Sequence, residues 1–431
     1  MSPYTCPECH QEYRGVWCKP CNSKRLQNDF NNWTSGNDKI DKFIQDAQLN
    51  ANYLREVIEW IPYNRFKDVK QIGKGGFGTI YYARWINGLI KKWDIENQQW
   101  ERYDKMKEVA LKKFDNFVNF NDVLNEMEIH LKTRTESASI RFYGITQDPE
   151  TRSYMMILEY AKDGNLREYL KVNFNNINWR QKLSNLYHLS LNLVNIHKLD
   201  IVHQDFHPGN ILSSSFKYDL MKISDFGLSK LIVVNPNNPE KKNIFGVLPY
   251  IAPEVLSGDK EYTKAADVYS FGIIAYEMIT GFPPYPDIPH DKDLAMKICN
   301  GLRPKIPFHT PKLITRIIMR CWDARVTHRP TFEEFWKELW EYYYDYRDDK
   351  NSEIRIQIEN SEKLSKNLGL TTTTTTTPLH YQTHPQAIYT SRLLNFSKLP
   401  KPKNEENFEM ELEELTNSMS NLCPSNSDLF I

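Results

Sequence analysis

The chain has 431 residues, enough for one large two-lobed domain with flanking pieces, and its 40% hydrophobic and 13% aromatic content supplies a sizeable core. Lys plus Arg equals Asp plus Glu at 55 each, so bulk charge gives no sign of nucleic-acid or membrane binding. There is no apolar run of membrane-spanning length and no signal-peptide core near the N-terminus. Four of the seven cysteines lie in the first 21 residues, while Cys299, Cys321 and Cys423 are scattered. That usage suits a reducing compartment with one metal site better than a disulfide framework. The cytoplasm is the expected location, with the nucleus as the alternative.

Cys6-Pro-Glu-Cys9 and Cys18-Lys-Pro-Cys21 are two C-x-x-C pairs eight residues apart. Such pairs can set four thiolates tetrahedrally around a structural Zn²⁺, and metal binding would supply the folding energy that so short a segment lacks. His10 is a substitute ligand in principle, but four cysteines already fill the site. Four unconnected thiols are the plainer alternative. The knuckle is assigned residues 1–25 and a helical linker 26–60. Within the linker Ile40, Ile44, Ala47, Ala51, Leu54 and Ile58 mark one face of a helix that stops before Pro62. This face is expected to pack on a neighbouring element; a short coiled-coil seam is the other reading.

Ile72-Gly-Lys-Gly-Gly-Phe-Gly-Thr-Ile80 follows a strand-like run and carries glycines at Gly73, Gly75 and Gly78. Glycines let a backbone approach phosphates without side-chain clash. The spacing could open a dinucleotide fold, but a second strand follows here rather than a helix, which favours a loop covering a nucleotide. A charged, Trp-containing insertion, Gly88–Lys107, precedes Glu108-Val-Ala-Leu-Lys-Lys113; Trp85, Trp93 and Trp100 are expected to pack it locally. Lys113 reads as a solvated surface residue. The helical stretch Val123–Leu131 then offers Glu126 and Glu128, and the apolar strand Tyr154–Ala161 follows.

Ile201-Val-His-Gln-Asp-Phe-His-Pro-Gly-Asn210-Ile-Leu212 and Asp225-Phe-Gly227 are the chemical centre. Asp205 can accept the proton of an incoming hydroxyl. Asn210 and Asp225 are hard oxygen ligands for Mg²⁺ held against phosphates. Ala252-Pro-Glu254, Asp267 in Asp-Val-Tyr-Ser-Phe-Gly272, and Cys321-Trp-Asp-Ala-Arg-Val-Thr-His-Arg-Pro330 complete the ordered set.

Together these motifs resemble the protein kinases over about 61–347, nearest to the tyrosine-kinase-like branch. With the Cys₄ pairs and Trp33-Thr-Ser-Gly36 the chain resembles the expanded kinase family of arbuscular mycorrhizal fungi. The resemblance implies an α+β, two-lobed fold (lobes 61–161 and 162–347) and ATP, Mg²⁺ and protein substrates. It implies no membrane, no nucleic-acid partner and no particular oligomeric state. By the same resemblance Lys112 contacts the α- and β-phosphates, paired with Glu126 (Glu128 is the rival), and Mg²⁺-ATP sits between the lobes. Ile72 and the glycines cover the nucleotide; Ile80 and Ala110 sandwich adenine, with Leu158, the backbone of Glu159 and Ala161, and Leu212 completing its pocket. Glu254 is expected to pair with Arg329, and Asp267 to anchor the catalytic loop.

Three departures stand out. Gln204 replaces the Arg that normally reads a phosphorylated loop. His207 replaces the Lys that helps neutralise the transferring phosphate. Val247 replaces the Thr that bridges the catalytic Asp and that Lys. From Asp225 to Glu254 the only hydroxyls are Ser229 and Tyr250. The reading is a protein kinase preferring Ser/Thr. A pseudokinase scaffold is the alternative, and a nucleic-acid adaptor resting on Lys19, Lys24 and Arg25 is the third. Residues 348–431, with the run Thr371–Thr377, are expected to be a flexible tail. Phe408, Leu412, Leu415 and Met419 in it share one helical spacing.

Overall fold

The computed structural model describes residues 4–13, 17–75, 78–114, 120–133, 138–218, 221–228, 230–231, 244–367, 382–396 and 398–420. It divides into two compact units, Met1–Lys162 and Asp163–Ile431, of mixed α+β character. Cys423, Ser229 and the run Thr371–Thr377 lie outside the described residues.

The first unit opens with a hairpin of β1 (Tyr4–Thr5) and β2 (Glu12–Tyr13), then α1 (Lys19–Asn28), where Pro20 occupies the first turn and its missing N–H costs nothing. Helix α2 (Asp38–Asn50) is N-capped by the Asn37 side chain and buries Ile40, Ile44 and Ala47. It ends eight residues before the Ile58 of the sequence pattern. Asn50 and Asn52 compete with the helical backbone, the Asn52 N–H donates to Glu56 Oε2 at 2.8 Å, and the Trp17 indole donates to the Ala51 carbonyl at 3.2 Å. Leu54–Glu56 forms a separate 3₁₀ turn.

Strands β3 (Glu59–Trp60), β4 (Phe66–Lys74) and β5 (Gly78–Trp85) follow, then the hairpin β6 (Leu89–Asp94) and β7 (Gln99–Tyr103), β8 (Lys107–Phe114), α3 (Phe120–Thr133), β9 (Phe142–Gln147) and β10 (Tyr154–Glu159). The main sheet has the order β3-β9-β10-β8-β5-β4, antiparallel except for β3–β9. Register and the two-residue strand period sort its side chains cleanly. Ala83, Trp85, Val109, Leu111, Met155 and Ile157 form the core on one face. Ile80, Ala110, Lys112 and Leu158 fall together on the other. The insertion is the β6–β7 hairpin. Trp93 meets Trp100 edge-on at 5.1 Å, and Trp100 stacks on Trp17 at 5.9 Å, so the hairpin packs on the N-terminal segment. Trp85 sits in the sheet core, where Leu89 of β6 joins its cluster, and the Arg102 guanidinium of β7 lies 6.0 Å from its ring centre.

The second unit contains α4 (Leu166–Asn173), α5 (Trp179–Lys198), β11 (Ile201–Val202), β12 (Ile211–Ser213), β13 (Met221–Ile223), β14 (Lys230–Leu231), β15 (Ile244–Gly246) and α6 (Pro253–Leu256). Then come α7 (Lys264–Thr280), α8 (Lys292–Cys299), α9 (Lys312–Cys321), α10 (Phe332–Asp348), α11 (Glu353–Asn367), β16 (Arg392–Leu394) and α12 (Phe408–Ser420). Helix α7 is buried almost all round, consistent with its apolar sequence, and Phe271 meets Phe335 of α10 edge-on at 4.7 Å. Helix α10 starts with a full capping box between Thr331 and Glu334. The stretch read as a tail thus holds two helices and a strand among its described residues. Helix α12 packs on α9 and buries Phe408. Among the described residues no helix is long and apolar enough to cross a membrane.

Candidate active site

In the first unit, β5 and β8 set Ile80 opposite Lys112, and β10 sets Leu158 opposite Ala110. Lys112 Nζ lies 2.5 Å from Glu126 Oε1 on α3, both side chains buried. Glu128 points elsewhere and pairs with Lys132 at 2.7 Å on the exposed face. Lys113 is not a solvated residue. Its ammonium meets Asp148 at 2.8 Å, with both side chains largely buried. Burial pushes the Asp148 carboxyl up, but Lys113, Thr151 and the Glu150 N–H outweigh it and bring it down to about 2. Across the glycine stretch Gly75 N–H donates to Gly78 O at 2.8 Å, and Ile72 is exposed. A Cβ on Gly78 would lie 2.3 Å from the Lys113 carbonyl, so only glycine fits there. Glu159 N–H already donates to Arg141 O at 2.8 Å, so a ligand bond at Glu159 would be accepted by its carbonyl. Ala161 is half-buried beyond it.

In the second unit, the antiparallel pair β12–β13 sets Ile211 opposite Ile223. The pairing brings Asn210 beside Ser224, whose N–H and hydroxyl both donate to the Asn210 carbonyl, at 2.9 and 3.1 Å. Asn210 and Asp225 therefore emerge side by side, and half-buried Leu212 follows on β12. Asn210 Nδ2 donates to the Asp205 carbonyl at 2.9 Å and to Oδ2 at 3.3 Å, so a cation would meet Asn210 Oδ1. Two hard oxygen donors so placed fit a Mg²⁺ ion. Asp225 has φ +62° and Gln204 φ +66°, left-handed conformations that the surrounding bonds hold in place. Asp267, fully buried, accepts the N–H groups of His203 at 2.9 Å and Gln204 at 3.3 Å and lies 2.8 Å from His197 Nε2.

Asp205 and His207 are both buried. His207 Nδ1 accepts the Gly209 N–H at 3.1 Å, which leaves Nε2 as the nitrogen that donates. That nitrogen lies 3.5 Å from Asp205 Oδ1 and 3.1 Å from Ser391 Oγ, and the Ser391 hydroxyl donates to Asp205 Oδ2. Burial would push the Asp205 carboxyl up, but His207 and the hydrogen bonds from His207 and Ser391 outweigh it and hold it below its usual range. Burial also pulls His203 down, and its ring bridges the Ser224 carbonyl and the Asp205 N–H as a neutral imidazole.

The description "protein tyrosine and serine/threonine kinase" matches residues 66–339. This chain belongs to that protein kinase family. It is 30% identical to the tyrosine-protein kinase SPK-1 of Girardia tigrina, over 67% of this chain and 53% of that one. It is 30% identical to the serine/threonine-protein kinase VIK of Arabidopsis thaliana, over 63% and 59%. It is 28% identical to the dual specificity protein kinase splA of Dictyostelium discoideum, over 64% and 11%. The chain thus spans a little over half, or much less, of these relatives.

Three groups at or near the site have no counterpart in the sequence reading. Ser391 is one, 186 residues from the Asp205 it touches. The others are Arg167 and Glu277, an ion pair at 3.2 Å that engages Tyr250: Arg167 Nη2 donates to the Tyr250 hydroxyl at 2.6 Å, and that hydroxyl donates to Glu277. Tyr250, one of the two loop hydroxyls, is buried in this cluster. The Glu254–Arg329 pair, by contrast, had a readable motif; its two bonds measure 2.7 and 2.8 Å. Near the N-terminus all four Sγ atoms of Cys6, Cys9, Cys18 and Cys21 lie within 4.8 Å of one another, while His10 is exposed outside the cluster.

Proposed function

We propose that this protein is an ATP-dependent protein kinase that transfers the γ-phosphate to protein hydroxyls, serine and threonine in preference to tyrosine. The observation that carries the reading is a buried, ionised Asp205 with a seryl hydroxyl hydrogen-bonded to it, on the same loop as Asn210 and beside Asp225. Asp205 orients the acceptor hydroxyl and takes its proton as the oxygen attacks phosphorus. His207 Nε2–H steadies the acceptor oxygen. Lys112, fixed by Glu126, holds the α- and β-phosphates, and Ile72, Gly73, Gly75, Gly78, Ile80, Ala110, Leu158, Glu159, Ala161 and Leu212 contact the nucleotide. Mg²⁺, held by Asn210 and Asp225, would neutralise charge on the phosphates.

The Cys₄ cluster supports a structural Zn²⁺. Zn–S bonds of about 2.3 Å put tetrahedral sulfurs roughly 3.8 Å apart. Cys6 and Cys21 stand at 3.7 Å, and Cys9 and Cys18 at 3.5 Å. The cysteine pairs and Trp33-Thr-Ser-Gly36 support a place in the kinase expansion of arbuscular mycorrhizal fungi, and the cysteine usage supports a cytoplasmic location.

The test is transfer from γ-labelled Mg²⁺-ATP by the full chain, with Asp205→Asn and Lys112→Met beside it. Each substitution should lower the rate by at least about a hundredfold, the scale of a lost catalytic base or phosphate clamp. ATP binding with no transfer by the unaltered protein would overturn the assignment in favour of a pseudokinase.

A further inference from the structure

Residues 384–394 lie along the second unit, through a turn closed by Ala387 N–H to His384 O at 2.8 Å and then into a strand, tied down by bonds at almost every step. His384 N–H donates to Pro286 O at 2.7 Å, and Gln386 O accepts the His290 N–H at 2.9 Å. The Tyr389 hydroxyl donates to Pro284 O at 2.8 Å, while Arg167 donates to the Tyr389 carbonyl at 3.0 Å and lies 4.7 Å over its ring. Strand β16 then adds antiparallel to β15, the last strand before Ala252-Pro-Glu254, with Gly246 opposite Arg392. This is strand addition at an open edge, the way extended peptides are bound. A Cβ on Gly246, at φ +139°, would lie 3.3 Å from Asp205 Oδ1, so β15 runs directly past the base. The residue before the paired Arg392 is Ser391.

We propose that residues 384–394 are an intramolecular substrate and that Ser391 is an autophosphorylation site. The inference rests on the reading of the chain as an active kinase. Two bonds orient the hydroxyl for the reaction: its proton points to Asp205 Oδ2, and one lone pair accepts His207 Nε2–H, leaving another for attack. Ser391 Oγ forms a bond to the γ-phosphorus of ATP. The bond from that phosphorus to the bridging oxygen breaks, ADP leaves with its electron pair, and the hydroxyl proton passes to Asp205. The product sets a phosphate dianion against a carboxylate, which disfavours the seated strand and clears the surface for other substrates.

The experiment incubates full-length protein with Mg²⁺-ATP over a wide range of protein concentration, with dephosphorylated casein in parallel, and localises phosphate by mass spectrometry. The expected result is phosphate on Ser391 at a rate independent of protein concentration, absent in Ser391→Ala. Tyr389→Ala, which frees the anchor, should slow it about tenfold or more by lowering the effective concentration of the acceptor. Casein phosphorylated with no phosphate on Ser391, or Ser391 labelling that rises with protein concentration, overturns the inference and leaves the kinase reading intact. An unlabelled Ser391 whose change to Ala depresses casein labelling also overturns it, making the hydroxyl a structural bridge between Asp205 and His207. Failure of both casein and self-labelling, with ATP bound, overturns the kinase reading and the inference with it.

Discussion

Arg329→Met should destabilise the second unit by about 3–5 kcal/mol, the cost of leaving one member of a buried ion pair alone. The magnitude follows from what the guanidinium holds. It donates to both Glu254 oxygens at 2.7 and 2.8 Å, to the Asp323 carbonyl at 2.7 Å and to the Ala265 carbonyl at 2.9 Å. The Arg329 and Glu254 side chains are 0% and 2% exposed, so no water can take over these bonds. Methionine fills most of the volume, which isolates the loss of charge and donors from a cavity effect. At about 1.4 kcal/mol per tenfold, the folding equilibrium constant should fall by about two to three and a half powers of ten. Urea titration followed by tryptophan fluorescence measures it, since Trp322 is buried in the segment leading to Arg329. Adding Glu254→Leu should recover most of the loss, because an apolar pair needs no compensation. A single-variant loss below about 1 kcal/mol, or a double variant as unstable as Arg329→Met, would refute the argument by placing the pair's energy in the range of exposed ones.

Two further outcomes test other parts of the chain. Burial pulls the Lys182 ammonium down to about 7, although it donates to Ile279 O at 2.9 Å and lies 4.1 Å over Phe174. Its unfolded value is about 10.4, so the unfolded chain binds more protons between the two and stability rises with pH across that window. Lys182→Met should therefore show its largest stability gain over the parent below about pH 7 and lose that advantage as the pH approaches 10, read by paired urea titrations; a pH-independent difference would contradict the assignment. Zinc removal is the second. A chelator should release about one Zn²⁺ per chain and perturb the Trp17–Trp100 stack, seen as a fluorescence change, and Cys9→Ser should weaken retention of the ion. Purified protein that holds no zinc would sink that proposal.

The parts of the site legible in the sequence were those whose chemistry demands a residue type at short spacing. Asp205 and Asn210 lie five residues apart on one loop, and the β12–β13 register alone brings Asp225 alongside. The sheet faces were local in part. Strand alternation places Ala110 and Lys112 on one face, and the β5–β8 pairing across the insertion brings Ile80 beside them. Glu126 against Glu128 was not decidable from spacing, because the choice depends on which face of α3 is buried. Burial of Val123, Met127 and Ile129 settles it by turning Glu126 inward. Trp85 serves both the core and the insertion, because its strand phase sends it to the core that Leu89 of the hairpin joins. Ser391 carried no local signal at all. Its position is set by an edge strand, a tyrosine anchor and a histidine, none of which forms a recognisable motif.

The three departures from the family pattern acquire a common physical sense. Asp267 grips the backbone N–H groups of residues 203 and 204, so the loop's path does not depend on the side chain at 204, and Gln204 can replace an arginine without moving Asp205. His207 is held by the Gly209 N–H at Nδ1, which turns Nε2 toward Asp205 and Ser391, a good partner for a hydroxyl. Val247 is buried and offers no hydroxyl toward Asp205. Val247 carries no hydroxyl, Gln204 no charge, and one hydroxyl from the distant Ser391 stands between Asp205 and His207. Control that other members of the family place in the loop before Ala252-Pro-Glu254 would then sit in the strand that pairs with it. Phosphate on Ser391, rather than on Tyr250 with its hydroxyl enclosed by Arg167 and Glu277, is what this arrangement demands.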